Sequence, residues 1–313
     1  MRSAAIVHPS NLLGKELREA LEKRPEPWLD LRLLSSREDE VGALTEVAGT
    51  AAVVGRYEPD CLEGVLFAFF CGRAADNRPL LRELPRSTRA IVLSTDATAA
   101  DGLPVVMGVS SPAALTAPIL LSPHPAAVML AHLLWPLRAL RCEEIVATVV
   151  QPASIYDQAG LEALFEETRQ IVALTARRAH AGFGAQLAFN LLPARSPAEP
   201  IAAELHALIP ELPPAHVQLL QGATFHSIAA SVYLRCAGGT GLAAVRKALA
   251  THPYLAPAER PRLLGPVDAA GGDKILYAPP RQDGPGAFWL WVAMDNLLRG
   301  GALNAVEIAE AIR

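Results

Sequence analysis

Three observations predict an α/β chain built as a Rossmann-type, doubly wound parallel sheet followed by a second α+β domain. Over the first third, short runs that are apolar on both faces alternate with helical patterns, as strands sandwiched between helices should. From about residue 123 the character changes to a mixture of longer strands and amphipathic helices. A length of 313 residues also favours two cores over one. We place the first domain at 1–122 together with 289–313, and the second at 123–288.

The expected strands of the first domain are Ala4 to Val7, Leu29 to Leu34, Ala51 to Val54, Val65 to Phe70 and Ala90 to Leu93. Leu12, Leu13, Leu17 and Leu21 give the segment Leu12 to Glu22 one apolar helical face, and a second helical pattern covers Arg78 to Leu84. Asn11 stands where a helix N-cap is needed. The turn between the first strand and helix resembles a dinucleotide site in position only: it holds His8, Pro9 and Asn11 and one glycine, Gly14, where a fingerprint needs three. In the second domain, Pro125 opens a helix without sacrificing a hydrogen bond. A strand (Glu144 to Val150), a helix (Gly160 to Ala173), a proline-rich helix-and-loop stretch to Pro214 and two strands within His216 to Cys236 follow. A helix from Leu242 to Leu249, the strand FWLWVAMDN and a terminal helix complete the chain; the terminal helix is expected to pack on the first domain.

Composition narrows the function. With 51% hydrophobic and 19% charged residues the chain supports a large core rather than disorder. A net charge of -4, without a Lys/Arg stripe, argues against nucleic acid. Residues 102–137 contain no Asp, Glu, Lys or Arg, yet prolines at 104, 112, 118, 123, 125 and 136 cut them into pieces below the ~20 residues of a membrane span. The cysteines at 61, 71, 142 and 236 form no CxxC and read as buried free thiols; with no secretory leader, a cytoplasmic protein is expected. The eight histidines show no metal-ligand spacing, so no metal is expected.

Several strings are similar to the aspartate-semialdehyde dehydrogenase family, whose members reduce an acyl phosphate with NADPH through a cysteine thioester. They are WLWVAMDNLLRGGALNAVEIAEAI (289–312), AIVHPSNLLGKELREAL, LRLLSSRE, EEIVATVVQPASIYDQAGLEALFEETRQ, AFNLLP and FHSIAASV. The resemblance spans essentially the whole chain and implies a semialdehyde dehydrogenase-like second domain that makes a homodimer. Its catalytic positions are another matter. The nucleophile's position falls on Pro125 in SPHPAA, with Ala126 and Ala127 replacing the adjoining hydroxyls. His226 matches the acid/base imidazole; a hydrogen-bonded, partly buried histidine is the favoured reading, since a base without a nucleophile has nothing to deprotonate. Gln151 matches the glutamine that positions substrate, and equally suits strand-end packing. The two anion-gripping arginines fall on Leu219 and Ala99, and neither leucine nor alanine can imitate a guanidinium fork. Tyr156 and Asp157 occupy a loop that is glycine-rich in the family, where Asp157 would repel a phosphorylated substrate.

The cofactor positions implied by the resemblance are Gly14, Asn11, Ser36, Arg37, Gly72 and Asn296. Ser36 and Arg37 suit a ribose 2′-phosphate, but Glu38, Asp39 and Glu40 follow at once. Asn296 suits a nicotinamide site or a turn. Cys71, at a strand end, is the least implausible substitute nucleophile, although a buried hydrophobe is the better reading. The expectation is a dimeric pseudoenzyme resembling the family's Usg-like members, binding a protein or small molecule, with no cofactor, or with NADP if the site is still competent. The alternative is an NAD(P)-dependent oxidoreductase acting on an aldehyde or acyl phosphate with a diverged site.

Overall fold

In a computed structural model, residues 3–24, 30–174 and 183–312 are described, and they form two compact units, 1–124 with 300–313 and 125–299. The first unit begins with β1 (Ser3–Val7), α1 (Leu12–Glu22), β2 (Asp30–Ser35), β3 (Leu44–Val47), β4 (Thr50–Val53) and β5 (Gly55–Arg56). It continues with β6 (Phe67–Phe70), α2 (Ala74–Arg82), β7 (Arg89–Val92), β8 (Leu103–Pro104) and β9 (Ile119–Leu121). Seven strands form one parallel sheet in the order β5-β2-β1-β6-β7-β9-β8. Its central strands, AAIV and FAFF, are buried at every residue because apolar clusters lie on both faces.

Residues 51–54 depart from expectation. They do not enter the parallel sheet; β3 and β4 make a separate antiparallel hairpin with Leu44 and Val53 exposed. Thr50-Ala-Ala-Val offers too little apolar volume for a sandwiched strand. Leu29 lies outside the described residues. The thiols also divide: Cys71 and Cys236 are buried, whereas Cys61 and Cys142 are partly exposed.

The second unit contains α3 (Pro125–Leu134), β10 (Cys142–Gln151), α4 (Asp157–Val172), β11 (Leu191–Pro193), α5 (Glu199–Leu208), β12 (His216–Gly222) and β13 (Ile228–Cys236). Then come α6 (Leu242–Ala250), β14 (Leu255–Pro257), α7 (Pro266–Ala269), β15 (Ile275–Tyr277), β16 (Arg281–Gln282) and β17 (Ala287–Met294). Its mixed sheet runs β11-β12-β10-β13-β17-β15-β14, with β16 on β17. The second boundary therefore falls after Arg299 rather than at 288, because β17 pairs with β13 along eight residues.

A six-residue π-helical turn, Leu298–Leu303, precedes the terminal helix Asn304–Ala311, which packs its Val306 and Ile308 into the core of the first unit. Asn304 fastens it: its Oδ1 accepts from Met107 N at 3.0 Å, and its Nδ2 donates to Val105 O at 3.0 Å and Ser122 Oγ at 2.9 Å. The two bonds that Nδ2 donates are buried, so they stabilise by what their loss would leave unsatisfied. Asn304→Ala is expected to cost about 2–4 kcal/mol in urea unfolding. A loss below ~0.5 kcal/mol would mean the helix is held by its apolar face alone.

Candidate functional site

The switch point of the first sheet lies between β1 and β6, where the chain's winding reverses and open α/β sheets bind ligands beyond the strand ends. Here that crevice is filled from within. His8, the first residue after β1, takes a left-handed φ of 59° and is 1% exposed. Its Nδ1 shares a 3.0 Å hydrogen bond with Ser35 Oγ and lies 3.7 Å from a Glu40 carboxylate oxygen. Ser36 Oγ stands 3.4 Å from Nε2. The imidazole rests against Gly72 so closely that a Cβ there would come within 2.4 Å of the ring.

Part of the backbone around this ring is already committed. His8 N donates to Leu34 O at 2.8 Å, Pro9 has no N–H, and Cys71 N donates to Val7 O at 3.0 Å. Asn11 caps α1 by accepting from Gly14 N at 2.7 Å, and its amide donates to Cys71 O. Gly14 is needed for this turn, since a Cβ would meet Pro9 O at 2.7 Å. On the β6–α2 turn, Asn77 and Ser94 both donate to Gly72 O. Gly14, Asn11, Ser36 and Gly72 are thus brought together with His8, which the sequence marked as an obstruction. Glu40 and Ser35 enter as its partners, and only the tertiary contact reveals them.

Arg37 is engaged beside them. It makes a paired contact with Asp39, with bonds of 3.2 and 2.8 Å, and lies 3.6 Å from Glu40. The hydrogen bond it donates to Asp39 raises the already high pKa of the guanidinium. Burial pushes the Glu40 carboxyl up, but hydrogen bonds from His8 and Ser35 and the charges of His8 and Arg37 bring it below its ordinary value. The His8 ring in the turn and the pairing of Arg37 with Asp39 occupy the places that a pyrophosphate and a 2′-phosphate would take, so the residues present do not fit a dinucleotide held in the Rossmann manner. Cys71 is fully buried, and desolvation raises its thiol pKa strongly, the opposite of what a nucleophile requires.

In the second unit Pro125 heads α3, whose ten residues PAAVMLAHLL are all buried. Ala126 and Ala127 follow at 0% exposure, so this helix tip carries no nucleophilic or hydroxyl side chain. His226, on the turn between β12 and β13, is exposed rather than partly buried, and the described residues give it no hydrogen bond. A two-residue flank, Phe225-His226, is left outside because Ser227, at φ 69°, turns inward instead.

Behind that turn lies a buried polar cluster. Asn296 Oδ1 accepts from Ser227 N at 2.8 Å, and Asn296 Nδ2 donates to Ser154 Oγ at 3.1 Å. Gln151 Nε2 donates to Gln221 Oε1 at 3.3 Å, and Gln221 Nε2 donates back to Gln151 O at 3.1 Å. Three polar atoms in this cluster have no partner: Gln151 Oε1, Thr224 Oγ1 and Ser227 Oγ. Leu219, at one of the anion-binding positions, is buried in β12, and Ala99 is an exposed loop residue of the first unit. Among the described residues no group of three or more His, Cys, Asp or Glu is placed to hold a metal, and no helix is long and apolar enough to cross a membrane.

No family model matches the chain. It is similar over 99% of its length to a USG-1 protein homologue of Pseudomonas aeruginosa, at 30% identity and 97% of that protein. It is 25% identical to the aspartate-semialdehyde dehydrogenase of Prochlorococcus marinus, covering 98% of this chain and 95% of the relative. The structure of a probable aspartate-semialdehyde dehydrogenase from Pseudomonas aeruginosa superposes with a TM-score of 0.89 at 27% identity, covering 99% of this chain and 97% of that one.

Three buried histidines give the protein a pH signature. His124 is held down to about 4 by burial, and His252 to about 4 by burial and the charge of Arg138. His132, on α3 and bonded to His252 at 2.9 Å, lies well below its ordinary value through burial, the Arg299 charge and His252. Each stays neutral when folded but takes a proton near pH 6.5 when unfolded. Stability is therefore complete above about pH 6.5 and falls as the pH drops toward 4, by about 1.4 kcal/mol per unit for each histidine. Urea midpoints should fall clearly between pH 7 and pH 5, above the range where carboxylates titrate; identical midpoints would contradict it.

Proposed function

The chain belongs to the family that unites the USG-1 protein homologues with the aspartate-semialdehyde dehydrogenases, and from that premise we propose that it is a catalytically silent member that acts by binding. The observation that carries this reading is the tip of α3, where Pro125 and two fully buried alanines stand in place of a nucleophile and its hydroxyl neighbours. A thioester needs a sulfur at that tip, and Pro125 offers none for His226 to activate. The filled crevice supports the same reading for the cofactor, because NADP would have to displace the His8 ring and break the bonds that hold it.

An NADPH-consumption assay with aspartyl phosphate, and the reverse assay with the semialdehyde and NADP, should give no turnover above background. Turnover abolished by His226→Ala, or a covalent acyl adduct at the α3 tip, would overturn the proposal. NADP should also leave the melting temperature unchanged, although a ligand at a hundred times its Kd adds about 2.7 kcal/mol.

The polar cluster of Gln151, Ser154, Gln221, Thr224, Ser227 and Asn296 supports a ligand-binding role, since its three unpartnered atoms suit a small, uncharged, hydrogen-bonding group. A homodimer through the second unit is part of the same proposal. One face of its sheet carries Val146, Tyr233 and Trp289 in a single cross-strand row, with Val146 36% exposed and the two rings 5.2 Å apart. Trp291 lies in the neighbouring row, and a second copy covering this face would bury the aromatic surface. Sedimentation should show a dimer that Tyr233→Glu weakens at least tenfold without loss of circular dichroism; a wild-type monomer at micromolar concentration would exclude it.

A further inference from the structure

Two cysteines separated by 94 positions face each other at the end of the second sheet. Cys142 opens β10 and Cys236 closes β13, and the antiparallel register pairs them directly. One position further out, Ala237 N donates to Arg141 O at 2.9 Å. That bond makes the cysteines a non-hydrogen-bonded pair, the narrow kind, with Cα atoms about 4.5 Å apart. This lies within the roughly 4.4–6.8 Å that a disulfide spans. The sulfurs are already in contact at 3.1 Å.

Access is one-sided. Cys142 is partly exposed and Cys236 is 3% exposed, while Arg141, Gly238 and Gly239 around them are exposed. The register shifts between Cys142 and Glu144, so the backbone at Cys142 is not locked into the ladder on both sides. The remaining thiols lack this arrangement: Cys71 is sealed in the first unit, and Cys61 bonds to Arg56 O.

We propose that Cys142 and Cys236 form a reversible redox-modification site, in which a low-molecular-weight disulfide converts the facing thiols into a cross-strand disulfide. Cys142, the more exposed residue of the pair, attacks one sulfur of the small disulfide as its proton passes to Cys236. The S–S bond of the reagent breaks, and half of the reagent leaves as a thiolate. Cys236, 3.1 Å away, then attacks the Cys142 sulfur and expels the second half as a thiol, which carries off the Cys236 proton. Two protein thiols are oxidised and one small disulfide is reduced to two thiols. A hydrogen bond from Cys142 lowers the Cys236 pKa, while that bond and burial push the Cys142 pKa up, so the Cys236 sulfur is the one that takes up the Cys142 proton as the attack proceeds.

The experiment treats the full chain with excess oxidised glutathione, quenches with acid and maps peptides without reduction. The expected product is a Cys142–Cys236 cross-linked peptide, an intact mass lower by two hydrogens, and recovery of both thiols with dithiothreitol. Cys236→Ser should instead accumulate a glutathione adduct on Cys142, because no second thiol resolves it. Cys142→Ser should leave Cys236 unmodified in the folded protein. Wild-type protein that retains both thiols, or stops at the adduct on Cys142, overturns the proposal whether or not the variants fold.

Discussion

A buried imidazole must find hydrogen-bond partners, and the first unit is arranged around that requirement at His8. Ser35 and Ser36 come from the end of β2, Glu40 from the loop beyond it, and Gly72 leaves room for the ring. Water cannot serve a ring that is 1% exposed, so these positions are mutually dependent. Loss of Ser35 would leave the His8 Nδ1 side buried with only Glu40 to match it. A turn that in a dinucleotide-binding protein is shaped by an external phosphate is shaped here by a side chain of the chain itself. The sheet order, twist and strand burial do not need the phosphate, which is why the architecture survives with the crevice filled.

The second unit separates packing from chemistry in the same way. α3 contributes ten buried residues to its core, and a proline at the first position starts the helix as well as any other residue would. Selection for stability therefore maintains the helix while saying nothing about its tip. Asn296 illustrates the converse: its amide joins Ser154 to Ser227, so its retention follows from the packing of three segments.

What could be read from the sequence follows from which signals are local. β1, β6 and β7 are short uniformly apolar runs, and α1 carries both its apolar face and its Asn11 cap in eleven consecutive residues and the one before them. Strands β8 and β9, of two and three residues, leave too few positions for any periodicity and lie between prolines. The hairpin of β3 and β4 was hidden because alanines satisfy a buried and an exposed strand alike. The site divides similarly. The empty tip at Pro125 and the obstruction at His8 are visible in single residues, whereas the partners of His8 and the facing of Cys142 with Cys236 depend on register between distant strands. Exposure of His226 depends on the left-handed turn at Ser227, a residue type that gives no warning of positive φ.

The first unit is discontinuous: residues 125–299 are interposed before the helix that Asn304 ties to Val105, Met107 and Ser122. On the ribosome, the inserted unit has its whole sequence available while the surrounding one still lacks its last core element. Completion of the N-terminal sheet's packing must then await synthesis of residues 304–311, so a nascent chain stalled before codon 304 would expose the apolar groove meant for Val306 and Ile308 to chaperones and proteases.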